Sequence, residues 1–392
     1  MKAGWEVKTL NQISENLDSK RVPITKKIRD EGSIPYYGAS GIVDYVADYL
    51  FDEDLLCISE DGANLLARTY PIAFSISGKT WINNHAHVLR FKNMATQKFV
   101  ELYLNSIKLD DYVSGMAQPK LNQTMLNKIP IPFPQLKDQQ RIVAILDEAF
   151  AAIAKAKTNA EQNLKNAKEL FESYLQSVFE NKGEGWEEKT LGEVCELKPQ
   201  KKEARDKLNQ TDLVTFLPME DLGILNKEII GVKERQLCDV SGSYTYFADN
   251  DVLLAKITPC FENGKIGIAR NLINGIGFGS SEYIVFRAKT NITPEYLYYF
   301  LSRNQIRTEG KKYMSGAVGH KRVSKEWIEN HIIPFPPLKK QQTIVQKLDA
   351  LSAKTKQLEA LYQQKINDLD ELKKSILQKA FAGELNTTAL VA

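Results

Sequence analysis

The chain of 392 residues is 43% hydrophobic and 26% charged, with a formal net charge of +3. Its length exceeds what one compact core holds, so we expect two or three domains of ordinary folded composition. No apolar run reaches the ~20 residues of a membrane span, and residues 1–6 do not begin a signal peptide, so the sequence predicts a cytoplasmic protein without a membrane segment. A dedicated nucleic-acid binder is often more basic, so any DNA binding would share its phosphate contacts with a partner.

The cysteines and histidines do not predict a metal site. The four cysteines have no Cys-x-x-Cys spacing and follow the scattered pattern of reduced thiols. His85 and His87 are the one near-pair of histidines, but alternate residues of a strand point to opposite faces. We therefore expect a polar strand or loop at this place.

The chain opens with a segment that occurs twice. Residues 4–10 read Gly-Trp-Glu-Val-Lys-Thr-Leu, and residues 185–191 read Gly-Trp-Glu-Glu-Lys-Thr-Leu. The inserts that follow, 16–113 and 197–314, share almost no aligned identity, yet both look like short strands broken by Gly, Asn and Asp. Each insert is predicted to contain a buried strand, at 55–59 and at 252–257. A helix follows at 96–105 and at 293–303, and then a glycine-rich loop at 114–120 and at 315–322. The common core is thus predicted to be one mixed α/β domain used twice.

A proline-rich step and a long apolar-periodic run follow each insert. Residues 131–143 (IPFPQLKDQQRIV) return as 333–345 (IPFPPLKKQQTIV), at a constant offset of 202. Proline suits the first turn of a helix and glycine its end. Pro134 and Pro336 therefore predict where the two helices begin, and Gly183 and Gly383 predict where they stop.

Apolar residues in both runs recur at steps of four and three, which indicates a coiled-coil seam. The predicted seam residues are Ile142, Leu146, Ala149, Ile153, Ala156, Ala160, Ala167, Leu170 and Tyr174 in the first helix, and Ile344, Leu348, Leu351, Leu358, Tyr362, Leu369, Leu372 and Ile376 in the second, with Thr355 and Lys365 as polar members. At 1.5 Å per residue, about 45 residues make a rod of roughly 65 Å. The alternative is two long amphipathic helices buried in separate globular cores.

Chain connectivity constrains how the two helices pair. The intervening domain is compact and its termini are expected to be close, so the second helix starts near the end of the first. The sequence predicts an α+β protein, with two mixed α/β domains at opposite ends of an antiparallel coiled coil and an internal pseudo-twofold repeat. The predicted segments are domain 1 at 1–130, helical spacer 1 at 131–182, domain 2 at 183–332 and helical spacer 2 at 333–392.

Motifs of common catalytic sites do not occur in complete form. Gly78-Lys79-Thr80 resembles the end of a phosphate-binding loop, but Ala73 stands where that loop needs glycine. Residues 275–279 are glycine-rich without a surrounding βαβ pattern, so we interpret them as a loop that joins strands. The sequence shows neither the Asn/Asp-Pro-Pro-aromatic motif of an adenine methyltransferase nor a Ser, His and Asp set. We therefore predict that the polypeptide is not itself an enzyme.

Two diverged domains, each followed by a near-identical proline step and long helix, resemble the specificity subunit of type I restriction-modification systems over the whole chain. The most specific parts are the proline steps at 129–143 and 332–345. Residues 58–64 and 83–88 are similar to one recurrent kind of target-recognition domain, and residues 255–265 look like another kind.

The resemblance implies a bipartite, asymmetric target in double-stranded DNA, with one half-site for each domain and a gap fixed by the helices. It implies two modification (methyltransferase) subunits that carry S-adenosylmethionine chemistry and dock on the helices, and restriction subunits that use ATP and Mg. No cofactor is expected in this chain. Independently of the resemblance, unlike inserts on a like frame predict unlike half-sites. The alternatives are a non-catalytic coiled-coil adaptor with protein-binding end domains and an enzyme with an unrecognised site.

Candidate DNA-binding residues follow from the side chains that pair with base edges, Arg or Lys with guanine and Asn or Gln with adenine. They are Lys79, Asn83, Asn84, His85, His87, Gln118 and Lys120 in domain 1, and Lys256, Glu262, Asn263, Lys265, His320, Lys321 and Arg322 in domain 2. The alternative for each is a turn-forming or solvated polar residue. Phosphate contacts are expected to outnumber base contacts.

Overall fold

The computed structural model describes residues 4–115, 117–229, 233–317 and 319–385. The chain forms two compact units, one from Met1–Glu161 with Gln363–Ala392 and the other from Gln162–Tyr362. We call residues 4–135 the first domain and residues 183–337 the second. Met116 and Val318, which belong to the predicted glycine-rich loops, lie outside the described residues.

The first domain and the long helix that follows it contain ten strands and five helices within the described residues. The strands are β1 (Glu6–Lys8), β2 (Ser14–Asn16), β3 (Glu31–Gly38), β4 (Gly41–Val46), β5 (Phe51–Asp52), β6 (Leu55–Ser59), β7 (Ala73–Ile76), β8 (Lys79–Ile82), β9 (Ala86–Phe91) and β10 (Ile131–Phe133). The helices are α1 (Leu10–Ile13), α2 (Asn64–Ala67), α3 (Met94–Ser106), α4 (Gln123–Leu126) and α5 (Leu136–Glu180).

The second domain and its long helix contain twelve strands and seven helices within the described residues. The strands are β11 (Glu187–Thr190), β12 (Cys195–Leu197), β13 (Leu213–Leu217), β14 (Lys233–Gln236), β15 (Thr245–Ala248), β16 (Val252–Ala255), β17 (Ile266–Ile268), β18 (Ile276–Gly279), β19 (Tyr283–Ala288), β20 (Met314–Ser315), β21 (Arg322–Val323) and β22 (Ile332–Phe335). The helices are α6 (Leu191–Val194), α7 (Lys202–Lys207), α8 (Leu237–Val240), α9 (Pro294–Ser302), α10 (Asn304–Lys312), α11 (Lys325–Glu329) and α12 (Leu338–Ala382).

The two domains have the same sheet topology. One four-stranded sheet has the order β2-β9-β6-β7 in the first domain and β12-β19-β16-β17 in the second. The other has the order β4-β3-β8-β5 and, correspondingly, β14-β13-β18-β15, and in both its one parallel pair joins its two central strands. The predicted strands at 55–59 and 252–257 are β6 and β16, whose residues are all buried. The prediction of one mixed α/β domain used twice is confirmed, although the two inserts share almost no sequence.

The repeated opening segment and the repeated proline step pair with each other. β1 runs antiparallel to β10, with Glu6 opposite Phe133, and β11 runs antiparallel to β22, with Glu187 opposite Phe335. A residue before proline favours extended backbone, and a two-stranded ribbon tolerates the missing proline N–H. The predicted spacers at 131 and 333 therefore begin with a strand, and helix starts only at Leu136 and Leu338.

One glutamine of each repeated step fixes the start of the long helix. The side chain of Gln139 donates to the Pro134 carbonyl (2.8 Å) and accepts from the Thr96 hydroxyl (2.7 Å). Gln341 donates in the same way to the Pro336 carbonyl (2.9 Å) and accepts from the Thr293 backbone N–H (3.0 Å). Both glutamines are almost fully buried, so each ties a long helix to the first turn of α3 or α9.

The long helices pack antiparallel within each unit. In the first unit Lys157 of α5 pairs with Asp370 of α12 at 2.7 Å, and Lys373 lies 5.0 Å from the ring centre of Phe150. In the second unit Phe179 near the end of α5 shares a core with Leu348 near the start of α12. Both helices contain 45 residues, as expected. Their ends also enter the domain cores, so the coiled-coil prediction and its globular-core alternative each describe part of the packing.

The predicted seam is correct along part of its length and wrong further on. Leu170 and Tyr174 are 53% and 36% exposed, whereas Leu175 and Phe179 are buried. On α12, Leu358, Leu372 and Lys365 are likewise exposed, and Ile366 next to Lys365 is buried. An α-helix drifts by about 20° per heptad from a strict 3.5-residue repeat. Over 45 residues the drift moves the buried face by about one position.

Two details of the glycine predictions also differ from the structure. Gly383 follows α12 directly with a φ of +77°, as predicted, but α5 ends at Glu180, before Gly183. Residues 276–279, interpreted as a loop, form the buried strand β18. A Cβ on Gly277 would lie 2.2 Å from the Phe247 ring, and one on Gly279 would lie 2.4 Å from the Leu217 carbonyl oxygen. These glycines allow close packing inside a sheet, a role that glycine content alone does not reveal.

Candidate DNA-recognition surface

Three separate segments of the first domain meet at one surface. The Glu60 N–H donates to the His85 carbonyl (2.9 Å), and the Leu121 N–H donates to the Glu60 carbonyl (2.8 Å). The Gly62 N–H donates to the Pro119 carbonyl (3.0 Å). The segment after β6, the turn before β9 and the glycine-rich loop are thus joined by backbone hydrogen bonds.

The second domain contains the same arrangement of backbone hydrogen bonds. The Lys256 N–H donates to the Glu282 carbonyl (2.9 Å), and the Val323 N–H donates to the Lys256 carbonyl (2.9 Å). The Thr258 N–H donates to the Lys321 carbonyl (2.9 Å). We call these segments the three-segment frame, formed by residues 60–62, 85 and 119–121 in the first domain and by residues 256–258, 282 and 321–323 in the second.

The two copies of the frame carry different side chains at matching positions. Glu60 in the first domain corresponds to Lys256 in the second, and His85 corresponds to Glu282. Lys120 corresponds to Arg322, at the offset of 202 that relates the proline steps. A shared backbone therefore presents an acidic, an imidazole and a basic side chain in one domain, and two basic side chains with an acidic one in the other.

In the first domain Glu60 is the centre of a charged network. Its carboxylate accepts from the Arg21 guanidinium (2.7 Å) and lies 3.2 Å from the Lys120 ammonium. Burial alone would raise the pKa of Glu60, but the hydrogen bonds from Arg21 and Lys120 and the proximity of His87 lower it overall. The exposed His85 ring is held by Asp61 at 2.8 Å. Lys120 and His85 are therefore partly positioned by neighbouring carboxylates.

In the second domain Glu282 holds Arg322 in a fixed orientation. The guanidinium donates from Nε and Nη2 to the two carboxylate oxygens at 2.9 and 2.7 Å, and from Nη1 to the His320 carbonyl at 2.9 Å. The hydrogen bond from Arg322 lowers the pKa of Glu282, so the carboxylate is ionised at neutral pH. Because a guanidinium has five N–H donors, two remain for a ligand.

Two candidate residues of the first domain lie inside it. His87 is 1% exposed, and its ring nitrogens lie 2.6 Å from the Asp18 carboxylate and 2.7 Å from the Leu121 carbonyl oxygen. Asn83 is 7% exposed and accepts from the His85 N–H at 2.8 Å. Both side chains support the frame from within. A DNA base could contact either side chain only if that side chain moved out of its buried position.

The remaining candidates divide into surface residues and residues engaged by the fold. Lys79 lies at the start of β8, at the end of the strand far from the turn that leads to His85, and is 4.7 Å from the ring centre of Tyr49. The Lys265 ammonium donates to the Met219 carbonyl at 2.6 Å, and Glu262 accepts from the Thr258 hydroxyl at 3.2 Å. The candidates exposed at or beside the frame segments are Asn84, Gln118, Asn263, His320 and Lys321.

Selection by residue type missed the acidic members of the surface. Glu60, Asp61 and Glu282 hold the candidate side chains Lys120, His85 and Arg322, but the criterion of base-reading side chains favoured Lys, Arg, Asn and Gln. The sequence did contain a signal for the equivalence of the two basic residues, because Lys120 and Arg322 are separated by the same offset of 202 as the proline steps. The carboxylates could not be paired with them from sequence, since Glu282 lies 40 positions from Arg322.

In residues 4–115, 117–229, 233–317 and 319–385, no helix has the length and apolarity that a membrane span requires. Over the same residues, no group of three or more His, Cys, Asp or Glu side chains is arranged to hold a metal ion.

Comparison with known proteins agrees with this repeated architecture. The family model described as the type I restriction modification DNA specificity domain matches residues 2–164 and 183–368. The chain belongs to this family. As a type I restriction-modification DNA specificity protein, it recognises a DNA target through two repeated domains and is not an enzyme.

Individual members of the family cover much of the chain. A putative type I restriction enzyme specificity subunit of Haemophilus influenzae is 28% identical over 361 residues, 89% of this chain and 88% of that one. The EcoAI specificity subunit of Escherichia coli is 36% identical over 191 residues, which are 48% of this chain and 31% of that subunit.

Solved structures show the same fold at low sequence identity. A chain of a type I R-M system superposes with a TM-score of 0.72 and 18% identity, over 98% of this chain and 99% of that chain. The HsdS subunit from Thermoanaerobacter tengcongensis gives a TM-score of 0.60 and 18% identity, over 98% of each chain.

Proposed function

We propose that each domain of this specificity protein reads one half of a bipartite, asymmetric sequence in double-stranded DNA. The observation that carries the proposal is the three-segment frame, whose backbone hydrogen bonds recur in both domains while its side chains differ in charge. Base identity is read by the donors and acceptors that side chains present in a groove. Two equal frames with unequal side chains therefore favour two unlike half-sites.

The basic members of the frame supply the base contacts in this proposal. Arg322 presents its two free N–H donors, and such a pair matches the O6 and N7 acceptors of guanine in the major groove. Its bidentate hydrogen bonds to Glu282 reduce the side-chain freedom lost on binding. Lys120 would act as a single cationic donor, held by Glu60 in the first domain. We assign His85, Asn84, Gln118, Asn263, His320 and Lys321 to neighbouring base or phosphate contacts.

The long helices are proposed to set the gap between the half-sites and to dock two modification subunits. Each helix of 45 residues is about 67 Å long and continuous, which makes it a suitable spacer. Leu170 on α5 and Leu358 and Leu361 on α12 are 38–59% exposed, so apolar surface is available to a partner. S-adenosylmethionine would bind to the modification subunits, and ATP and Mg to restriction subunits, so this chain would need no cofactor of its own.

Selection of bound DNA tests the proposal. The chain is purified with its modification subunits, mixed with duplexes that contain a random segment, and the retained DNA is sequenced over several rounds. We expect enrichment of two short, unlike blocks at a constant separation. Enrichment of a single uninterrupted block, or of two blocks at variable separation, would refute the bipartite reading.

A further inference from the structure

A basic cleft lies beside the three-segment frame of the second domain. The cleft has a volume of about 590 Å³ and is lined by five lysines, Lys198, Lys201, Lys202, Lys256 and Lys325, together with Tyr244 and other uncharged residues. No Asp or Glu lines this cleft in the part of the chain that the structure describes. The function assigned to the frame does not account for four of these lysines.

The fold positions this cluster through the short helix α7. Glu203 on α7 accepts from the Arg287 guanidinium (2.6 Å) and from the Tyr246 hydroxyl (3.0 Å), which fixes the helix against the sheets. Its neighbour Ala204 is fully buried. The Glu203 side chain is therefore turned inward to a cation, while Lys201 and Lys202 remain at the cleft.

The positive charge of the cleft is largely uncompensated. Among the described residues no salt bridge involves Lys198, Lys201, Lys202 or Lys256, whereas Lys325 pairs with Glu329 at 2.9 Å. Burial lowers the pKa of Lys201, and repulsion from Arg205 and Lys198 lowers it further. Like charges held this close with few counter-charges are typical of a surface that receives an anion.

The cleft is continuous with the proposed base-reading surface. Lys256 and Val323 belong to the three-segment frame and also line the cleft, and Ser281, which accepts from the Lys256 ammonium at 2.8 Å, lies next to Glu282. A duplex that places a guanine against Arg322 would therefore carry its backbone past these lysines. A free nucleotide would need only an isolated pocket, so the continuity of the cleft with the frame favours a DNA backbone as the anion.

The first domain carries a basic segment at the same place in its topology. The connection between β2 and β3, residues 17–30, contains five Lys and Arg residues, as does the connection between β12 and β13, residues 198–212. Lys20, Lys26 and Lys27 are exposed there, and none of them forms a salt bridge within the described parts of the chain. The two connections share almost no sequence, so their common feature is the charge.

We propose that the two connections are matched phosphate-binding segments, which hold the sugar-phosphate backbone beside each half-site. In the second domain the contacts come from Lys198, Lys201 and Lys202 of the connection and from Lys325, which lines the same cleft. In the first domain they come from Lys20, Lys26 and Lys27. This inference rests on the proposed function, since it assumes that both domains face DNA. It adds residues that carry affinity without carrying sequence preference.

The test measures how the affinity of the assembled complex for DNA depends on salt. Lys201→Gln with Lys202→Gln is compared with Lys311→Gln with Lys312→Gln, a control that removes the same charge from exposed lysines of the same domain outside the cleft. Affinities for a duplex with the selected target and for one with the second half-site scrambled are measured over a series of salt concentrations. Lys26→Gln with Lys27→Gln provides the first-domain arm.

Each phosphate contact contributes about 0.9 to the slope of log K against log salt, so each test pair should lower the slope by about 1.8. Both duplexes should lose affinity by the same factor, and the control pair should keep the slope of the unaltered protein. An unchanged slope, or a loss confined to the target duplex, would overturn the inference. The inference would also be overturned if the unaltered complex binds ATP at this cleft, and the Lys201→Gln/Lys202→Gln variant loses ATP binding but keeps the salt slope for DNA. If the unaltered complex fails to discriminate the two duplexes, the proposed function fails instead.

Discussion

Exchange of Arg322 and of Lys120 for alanine should affect different halves of the DNA target. The two residues occupy the same position of the three-segment frame in different domains, at an offset of 202. Arg322→Ala should relax the base preference at one position of the half-site read by the second domain. Lys120→Ala should do so at one position of the other half-site. Each variant thus serves as the matched control for the other.

The size of the Arg322 effect follows from the groups that the side chain offers. Three of its five N–H donors are engaged by Glu282 and His320, and the remaining two can form one bidentate contact with guanine. A bidentate contact of this kind discriminates between bases by roughly 5- to 150-fold. Lys120 offers one ammonium and no fork, so we expect its effect to be smaller.

Competition binding measures both effects directly. The assembled complex is titrated with a labelled target duplex and competed with duplexes that carry single base-pair changes along both half-sites. Thermal unfolding of each variant controls for loss of structure, which we expect to be slight because both side chains are at the surface. Unchanged preferences in both variants, or a change at the same half-site in both, would refute the assignment of one frame to each half-site.

Three further predictions concern packing, the helix start and the spacer. Gly277→Ala should destabilise the second domain by about 1–3 kcal/mol in chemical denaturation, because the new Cβ would lie 2.2 Å from the Phe247 ring, whereas Gly242→Ala meets no atom within 4 Å and should be nearly neutral; equal stabilities would contradict the close packing. Gln139→Ala should cost about 1–3 kcal/mol of unfolding free energy, since it leaves the buried Pro134 carbonyl and Thr96 hydroxyl without a partner, and a neutral result would exclude this role for the repeated glutamine. Insertion of four residues after Ala156 should shift the register of α5 against α12. We therefore expect either a changed gap between the half-sites of selected DNA or a complex that no longer assembles. An intact complex with the original gap would rule out the helices as the spacer.

The long helices and the repeat could be predicted from sequence because their signals are local or periodic. A constant offset identified both copies, and apolar spacing with proline punctuation predicted helices of about the observed length of 45 residues. The seam shifted after Ala167 because the 3.6-residue turn of a real helix departs from the idealised repeat. A small angular error per turn accumulates only in helices of this length.

The recognition surface was harder to predict because long-range contacts create it. Lys120 and Arg322, which were nominated by residue type, are exposed, but His87 was chosen by the same rule and is buried against Asp18, 69 positions earlier. Of the five lysines that line the cleft, only Lys256 was among the residues nominated from the sequence. Lys201 and Lys202 lie in a different connection, and only the folded sheet brings them beside Lys256.

Methylation mapping in a host that carries the intact restriction-modification system tests the central claim most directly. The modified sites across the genome are aligned, and the invariant bases around them define the target. If two unlike domains read DNA from a common frame, the motif will consist of two different short blocks separated by a fixed number of unspecified bases. A single uninterrupted motif, or two blocks that are reverse complements of each other, would contradict the account.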